Sequence, residues 1–239
     1  MIVPLQLVLL NRQVYTPKVI GTPTEYLEDT GGVDWTTKTL NVHTCTTGNL
    51  LVLGATRSNT GATGTFGTAT FAGATLNEIG KVSSTNNGLP RIAAWWLRGA
   101  SQAVNPNFVI NSGANTRDAI FYFINIDRFA TGIPVRNFAS NTYASTAKNS
   151  HALTVTSQNS KSLLFNFTYS GNDDAMPMTS SWTLIDSGKT GNNTIADFSC
   201  VLSKKIAGGR GSITHTAGAS TTVANWAALS FELKPFGVY

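Results

Sequence analysis

The sequence predicts an all-β fold, a jelly-roll-like antiparallel β sandwich, on three observations. Charged residues make up only 12% of the 239, about half the ~25% usual in globular chains, while Thr, Ser, Asn and Gly abound. Helical surfaces are normally laced with Lys and Glu, so this balance favours strands and turns. From Lys38 onward, runs rich in Val, Ile, Phe, Thr and Trp are broken by Gly, Asn, Ser and Asp roughly every ten residues, the rhythm of a sandwich or barrel. No stretch sustains a helical apolar period over several turns.

Residues 1–37 read as an extended N-terminal arm, because Pro4, Pro17 and Pro23 hold them away from helix. Leu5, Leu7, Leu9, Leu10 and Tyr15 are its candidate assembly contacts, since such a stretch is sticky if left exposed. Two fates are open to the arm: an edge strand of its own sandwich, or docking into a neighbouring subunit. Beyond it, alternating or continuous apolar runs predict strands at 39–45, 50–57, 68–71, 75–82, 91–97, 107–111 and 119–126, then at 152–156, 162–169, 181–186, 195–204, 212–216 and 226–233. Residues 58–68, almost all Gly, Thr, Ala and Asn, read as a surface loop. The connection 128–150 contains Phe129, Val135, Phe138 and Tyr143 and is expected to pack on the body.

An internal duplication organises the rest. Leu40, Val42, Leu50 and Leu51 match Leu153, Val155, Leu163 and Leu164 at one constant offset. Leu76, Gly80 and Lys81 then align with Leu184, Gly188 and Lys189, Leu97 with Leu202, and Ala119 and Phe123 with Ala227 and Phe231. The expected organisation is one sandwich domain over 38–239, with duplicated halves at about 38–127 and 151–235 interleaved about a pseudo-twofold axis, as two Greek keys are in a jelly roll.

Catalysis needs converging titratable groups, and none announces itself. His43, His151 and His215 are far apart in sequence and lack metal spacing, so each reads as a surface or edge-strand histidine. Asp173 and Asp174 follow Asn172 in a turn without the spacing of a calcium loop. Gly208-Gly209-Arg210-Gly211 lacks the context of a phosphate loop and reads as a hairpin turn. Cys45 and Cys200 form no metal motif, and Cys200, in phase with Phe198 and Leu202, reads as a buried free thiol. Trp95 and Trp96 are adjacent in a strand, so one should face out, where it is either packed across strands or covered by the 128–150 connection, or else serves as a candidate platform for stacking on sugar. No enzymatic activity and no cofactor are expected.

The net charge of +5 is scattered over 17 Lys and Arg against 12 Asp and Glu, which does not call for nucleic acid as a partner. The longest apolar stretch, Ile2 to Leu10, carries Pro4 and Gln6 and falls short of the ~20 residues that span a bilayer, so neither a signal peptide nor a membrane span is expected.

The runs Thr47-Gly-Asn-Leu-Leu-Val-Leu-Gly-Ala, Ala69-Thr-Phe-Ala-Gly-Ala-Thr-Leu, Ala93-Ala-Trp-Trp-Leu and Asn225-Trp-Ala-Ala-Leu-Ser-Phe-Glu-Leu-Lys-Pro resemble a β-sandwich domain of tailed-phage structural proteins and some bacterial surface proteins. The resemblance spans Lys38 to Pro235 and implies a building or decorating module without catalytic residues. The resulting expectation is a virion structural protein at the particle surface, a capsid decoration (cement) or tail-fibre component. Its expected partners are major shell or tail subunits and further copies of itself. The alternative is a carbohydrate-binding module using Trp95 or Trp96 on surface glycans.

Overall fold

The computed structural model describes residues 14–29, 34–41, 44–57, 65–83, 90–104, 106–143, 148–171, 175–178, 180–191, 197–223 and 225–237. Among them there is no helix, and so none long and apolar enough to cross a membrane. The fold is an all-β sandwich of antiparallel sheets.

Among the described residues, sixteen strands run in chain order. The first half contains β1 (Val19–Asp29), β2 (Trp35–Asn41), β3 (Asn49–Arg57), β4 (Ala69–Phe71), β5 (Ala74–Thr75), β6 (Asn77–Ser83), β7 (Pro90–Arg98), β8 (Asn107–Thr116) and β9 (Asp118–Ile126). The second contains β10 (Val135–Tyr143), β11 (Lys148–Ser157), β12 (Leu163–Ser170), β13 (Thr183–Lys189), β14 (Ser199–Ile206), β15 (Gly211–Val223) and β16 (Trp226–Leu233).

They build four layers. A four-stranded outer sheet, β2-β8-β4-β5, covers a five-stranded inner sheet, β1-β9-β3-β7-β6. That sheet packs on a second inner sheet, β10-β16-β12-β14-β13, which is covered in turn by the two-stranded ribbon β11-β15. The central core between the inner sheets holds Leu51, Leu53 and Tyr122 from one side and Phe165, Phe167 and Phe231 from the other. A second core, with Trp95, Phe108, Phe121 and Phe123, lies under the first outer sheet. Strands buried on both faces read as continuous apolar runs, which is why β3, β9, β12 and β16 stand out in the sequence.

The two inner sheets repeat one strand order, and they stack in reverse: β1 lies against β13, and β6 against β10. A twofold relation parallel to the strands produces that arrangement. The halves do not interleave, however. Each inner sheet and its outer cover come from one half alone, so each half buries its own strands before meeting the other.

Position by position, the sequence matches are out of register. Leu50 faces the first outer sheet, whereas Leu163, its match in sequence, faces the centre. Ala119 and Ala227 are swapped in the same way. Because both faces of these strands are apolar, a one-residue slip leaves the hydrophobic pattern intact, and the pattern cannot fix the register.

Residues 1–13 lie outside the described residues. From Val19 on, the expected arm belongs to the sandwich: β1 pairs with β9 as the edge of the first inner sheet, and β2 starts at Trp35. Pro23 fits there because an edge strand leaves one row of N–H groups unpaired, and the register shifts between Ile20 and Thr24. The connection after Arg128 likewise contributes an edge strand, β10.

Candidate functional site

Trp95 is buried in the core under the first outer sheet. Trp96 is half-buried, edge-on to Phe129 at 5.9 Å, with the Arg98 guanidinium 6.0 Å from its ring. Trp95 therefore offers no ring face, and Trp96 is partly taken up by Phe129 and Arg98. Alternation does point them opposite ways, but β7 lies in a sheet covered on both sides, so opposite is not outward. None of the five tryptophans is exposed.

His43, Asp173 and Asp174 lie outside the described residues. His151 and His215, expected as surface or edge-strand histidines, do lie on edge strands, the paired β11 and β15 of the two-stranded ribbon, where Leu153 is opposite His215 and Ala217 opposite His151, but both side chains are buried rather than at the surface. His151 stacks on Trp226 with ring centroids 6.0 Å apart, and His215 meets Trp182 edge-on at 5.2 Å. The same tryptophans donate their indole N–H to ribbon carbonyls: Trp226 to Lys148 at 3.2 Å and Trp182 to Thr214 at 2.9 Å. Burial lowers both imidazoles to about 4, helped by the Lys148 charge at His151 and by His151 itself at His215. They are neutral packing groups at neutral pH. Cys45 and Cys200 are free and buried, and burial raises both thiols, which removes them from nucleophilic chemistry.

Two carboxylates lie at the seams between the sheets. Glu232, fully buried on β16, receives both Arg136 Nε at 2.9 Å and Nη2 at 3.0 Å, together with Asn137 Nδ2 and the Gln158 backbone N–H. Burial alone would raise its pKa, but these hydrogen bonds, with those from Ser162, outweigh it and lower it. Glu25 sits over Gly188 beside the Tyr122 hydroxyl, where a Cβ on Gly188 would clash with both. Burial first and the Asp186 charge second raise Glu25, against the opposing effect of the neighbouring Tyr122 hydroxyl. Gly80 likewise makes room for Phe138 of the opposing edge strand. The Gly-Lys pairs singled out by the sequence thus mark where the edge strand of one half crosses the other. Among the described residues, no three metal-ligating side chains come together.

A further constellation lies at the end of the sheets where Tyr15 and Phe236 meet. Tyr15 forms an antiparallel bridge with Phe236, with backbone hydrogen bonds of 3.0 and 2.9 Å. The Arg128 guanidinium lies over both rings, 4.7 Å from Tyr15 and 5.9 Å from Phe236, while its Nε reaches Asp127 at 3.0 Å. Lys161 Nζ donates to the Val14 carbonyl at 3.0 Å. Beside this clasp a groove of about 450 Å³ runs between Pro17–Val19 and Leu163, Lys204 and Ile206. Ile206, Ile133 and Val104 are 58%, 66% and 79% exposed, and the strand ends put all three at this end of the sheets. Of the candidate assembly contacts, Tyr15 is thus in the clasp, while Leu5, Leu7, Leu9 and Leu10 lie outside the described residues. Sequence reasoning missed the groove, because its walls come from β1, β12, β13 and β14, distant in the chain.

No protein-family model, no curated protein and no solved structure matches this chain.

Proposed function

We propose that this chain is a structural component of a virus particle, a shell decoration or a tail part, present in repeated copies and acting through contacts with shell or tail subunits. The observation that carries the reading is the end just described: the apolar stretch Ile2 to Leu10 precedes it in the chain, Ile206 stays exposed at the groove, and Ile133 and Val104 stay exposed elsewhere at the same end. Exposed apolar groups beside polar ones are what an assembly interface leaves open in the free subunit. The four-layer body behind it supports the same use, because both faces of both inner sheets are filled by packing. Many copies on one particle would add weak contacts through multivalency. The glycan reading has no comparable support, since Trp95 is buried and Trp96 is half-buried beside Phe129.

The experiment is to follow the chain through a density gradient of virus particles from its source, quantified by mass spectrometry against the major shell protein. Co-migration at a fixed copy ratio supports the reading, and the ratio separates a shell decoration from a tail part. A chain that stays in the soluble fraction ends it.

A further inference from the structure

Positive charge collects at the same end. Lys204, Lys205 and Arg210 flank the turn from β14 to β15, Lys18 precedes β1, and Arg98 ends β7. Lys161 lies just before β12 and Lys234 just after β16, and Arg128 and Arg136 flank the start of β10. That is more than half of the 17 Lys and Arg in the chain. Among the described residues the acids there are Asp127, bound to Arg128, and Glu232, buried on Arg136; a little further along, Glu78 on β6 is taken by Lys81 at 2.9 Å, and Asp186 lies on β13 two register positions beyond Lys204. Lys18, Lys204, Lys205 and Arg210 have no carboxylate partner among the described residues.

The pseudo-twofold relation shows why the groove is open. Val19 opens β1 opposite Ile126; two residues back Ile124 pairs with Leu51, which pairs with Trp96. Val135 opens β10 opposite Leu233; two residues back Phe231 pairs with Phe165, which pairs with Lys204. Lys204 therefore occupies the place that Trp96 holds in the other half. There the indole plugs the seam against Phe129. Here a lysine lines an apolar slot together with Lys18 and Lys205.

We infer that this end docks an acidic protein surface that seats an apolar side chain in the slot between Val19 and Ile206 while its carboxylates meet Lys18, Lys204 and Lys205. The inference rests on the assembly reading above and adds the chemistry of the partner. Charge complementarity points to an acid-rich partner. A slot together with protruding Val104 and Ile133 matches a shaped surface better than a lipid headgroup plane, which has nothing to place in a slot. Single-stranded nucleic acid would use open aromatic rings for stacking, and the Arg128 guanidinium already occupies a face of both Tyr15 and Phe236; duplex DNA, which needs only its phosphates, is an outcome of the test.

Binding of the full chain to a random copolymer of glutamate and tyrosine, compared with polyglutamate, duplex DNA and vesicles containing phosphatidylserine, tests this. The copolymer should bind more tightly than polyglutamate, and more weakly as salt is raised. Lys204→Glu with Lys205→Glu should weaken binding about tenfold or more at an unchanged melting temperature, whereas Lys189→Glu at the far end should leave it intact. Equal binding of the two polymers, an equal effect of Lys189→Glu, or tighter binding to DNA or vesicles would overturn the inference. The gradient experiment is separate: polymer binding without co-migration removes the particle and keeps the acidic partner, and co-migration without polymer binding does the reverse.

Discussion

Glu25 and Glu232 are carboxylates in one sandwich with opposite electrostatic surroundings, and pH separates them. Glu25 has a raised pKa in the folded state, so its charge opposes folding at neutral pH, and that penalty fades as pH falls through the folded value toward the unfolded one. Glu25→Gln should therefore raise the melting temperature at pH 7 and lose its advantage in acid, which a pair of thermal melts checks. Glu232 has a lowered pKa; its contribution is complete above the unfolded value and disappears as pH falls through the folded one. Removing its partner by Arg136→Ala leaves a buried charge unpaired and should cost about 3–5 kcal/mol in denaturant unfolding. At Gly113, φ is +73° and an added Cβ would run into the Thr65 carbonyl. Gly113→Ala should cost more than the ~1–2 kcal/mol of left-handed strain alone, because backbone must move as well. Only the fold exposes these three roles, since in the sequence each residue is one acid or glycine among many.

The ribbon β11-β15 is the element whose attachment pH should control. It rests on the second inner sheet through small clusters around Trp226 and Trp182, and each tryptophan carries one of the two buried histidines. With both imidazoles lowered from 6.5 to about 4, the unfolded chain takes up protons first. Stability is therefore full above about pH 6.5 and declines as pH falls toward about 4, by roughly 3 kcal/mol for each histidine. Replacing both histidines by Phe should flatten the urea midpoint between these pH values; an unchanged slope would assign the loss elsewhere. The alternation of β11 and β15 was legible in the sequence, but the nearness of His151 and His215 was not, because it depends on the pairing of strands about 60 residues apart. The two edge strands were legible only in part: an edge strand was one of the two fates open to the arm, and the 128–150 connection was expected to pack on the body. The bounds of β1 and β10 were not legible, because each pairs on one side only and carries Pro, Gly or polar residues where a central strand carries aliphatics.

At the scale of the molecule, two similar halves face each other across a dry core and differ where it matters for contact with others. One seam is closed by Trp96 and the other is left open by Lys204. Trp96→Lys should open a second groove and loosen the first half, seen as a lower melting temperature and a new site for apolar dyes; Lys204→Trp should fill the existing groove and abolish the preference for the copolymer. The basic end, the groove and the clasp of Tyr15, Arg128 and Phe236 share one place because the strands of both halves start or stop there.

The sequence by itself determined the all-β class, most of the central strands and the repeated strand order, because these depend on local composition and on which runs must be buried. Only the tertiary structure decided the register, the separation of the halves into stacked sandwiches, the burial of both histidines and Trp95, and the open groove. The physical reason lies in the inner strands: apolar on both faces, they keep the same pattern when shifted by one residue, so only packing against the neighbouring sheets fixes which side chains meet.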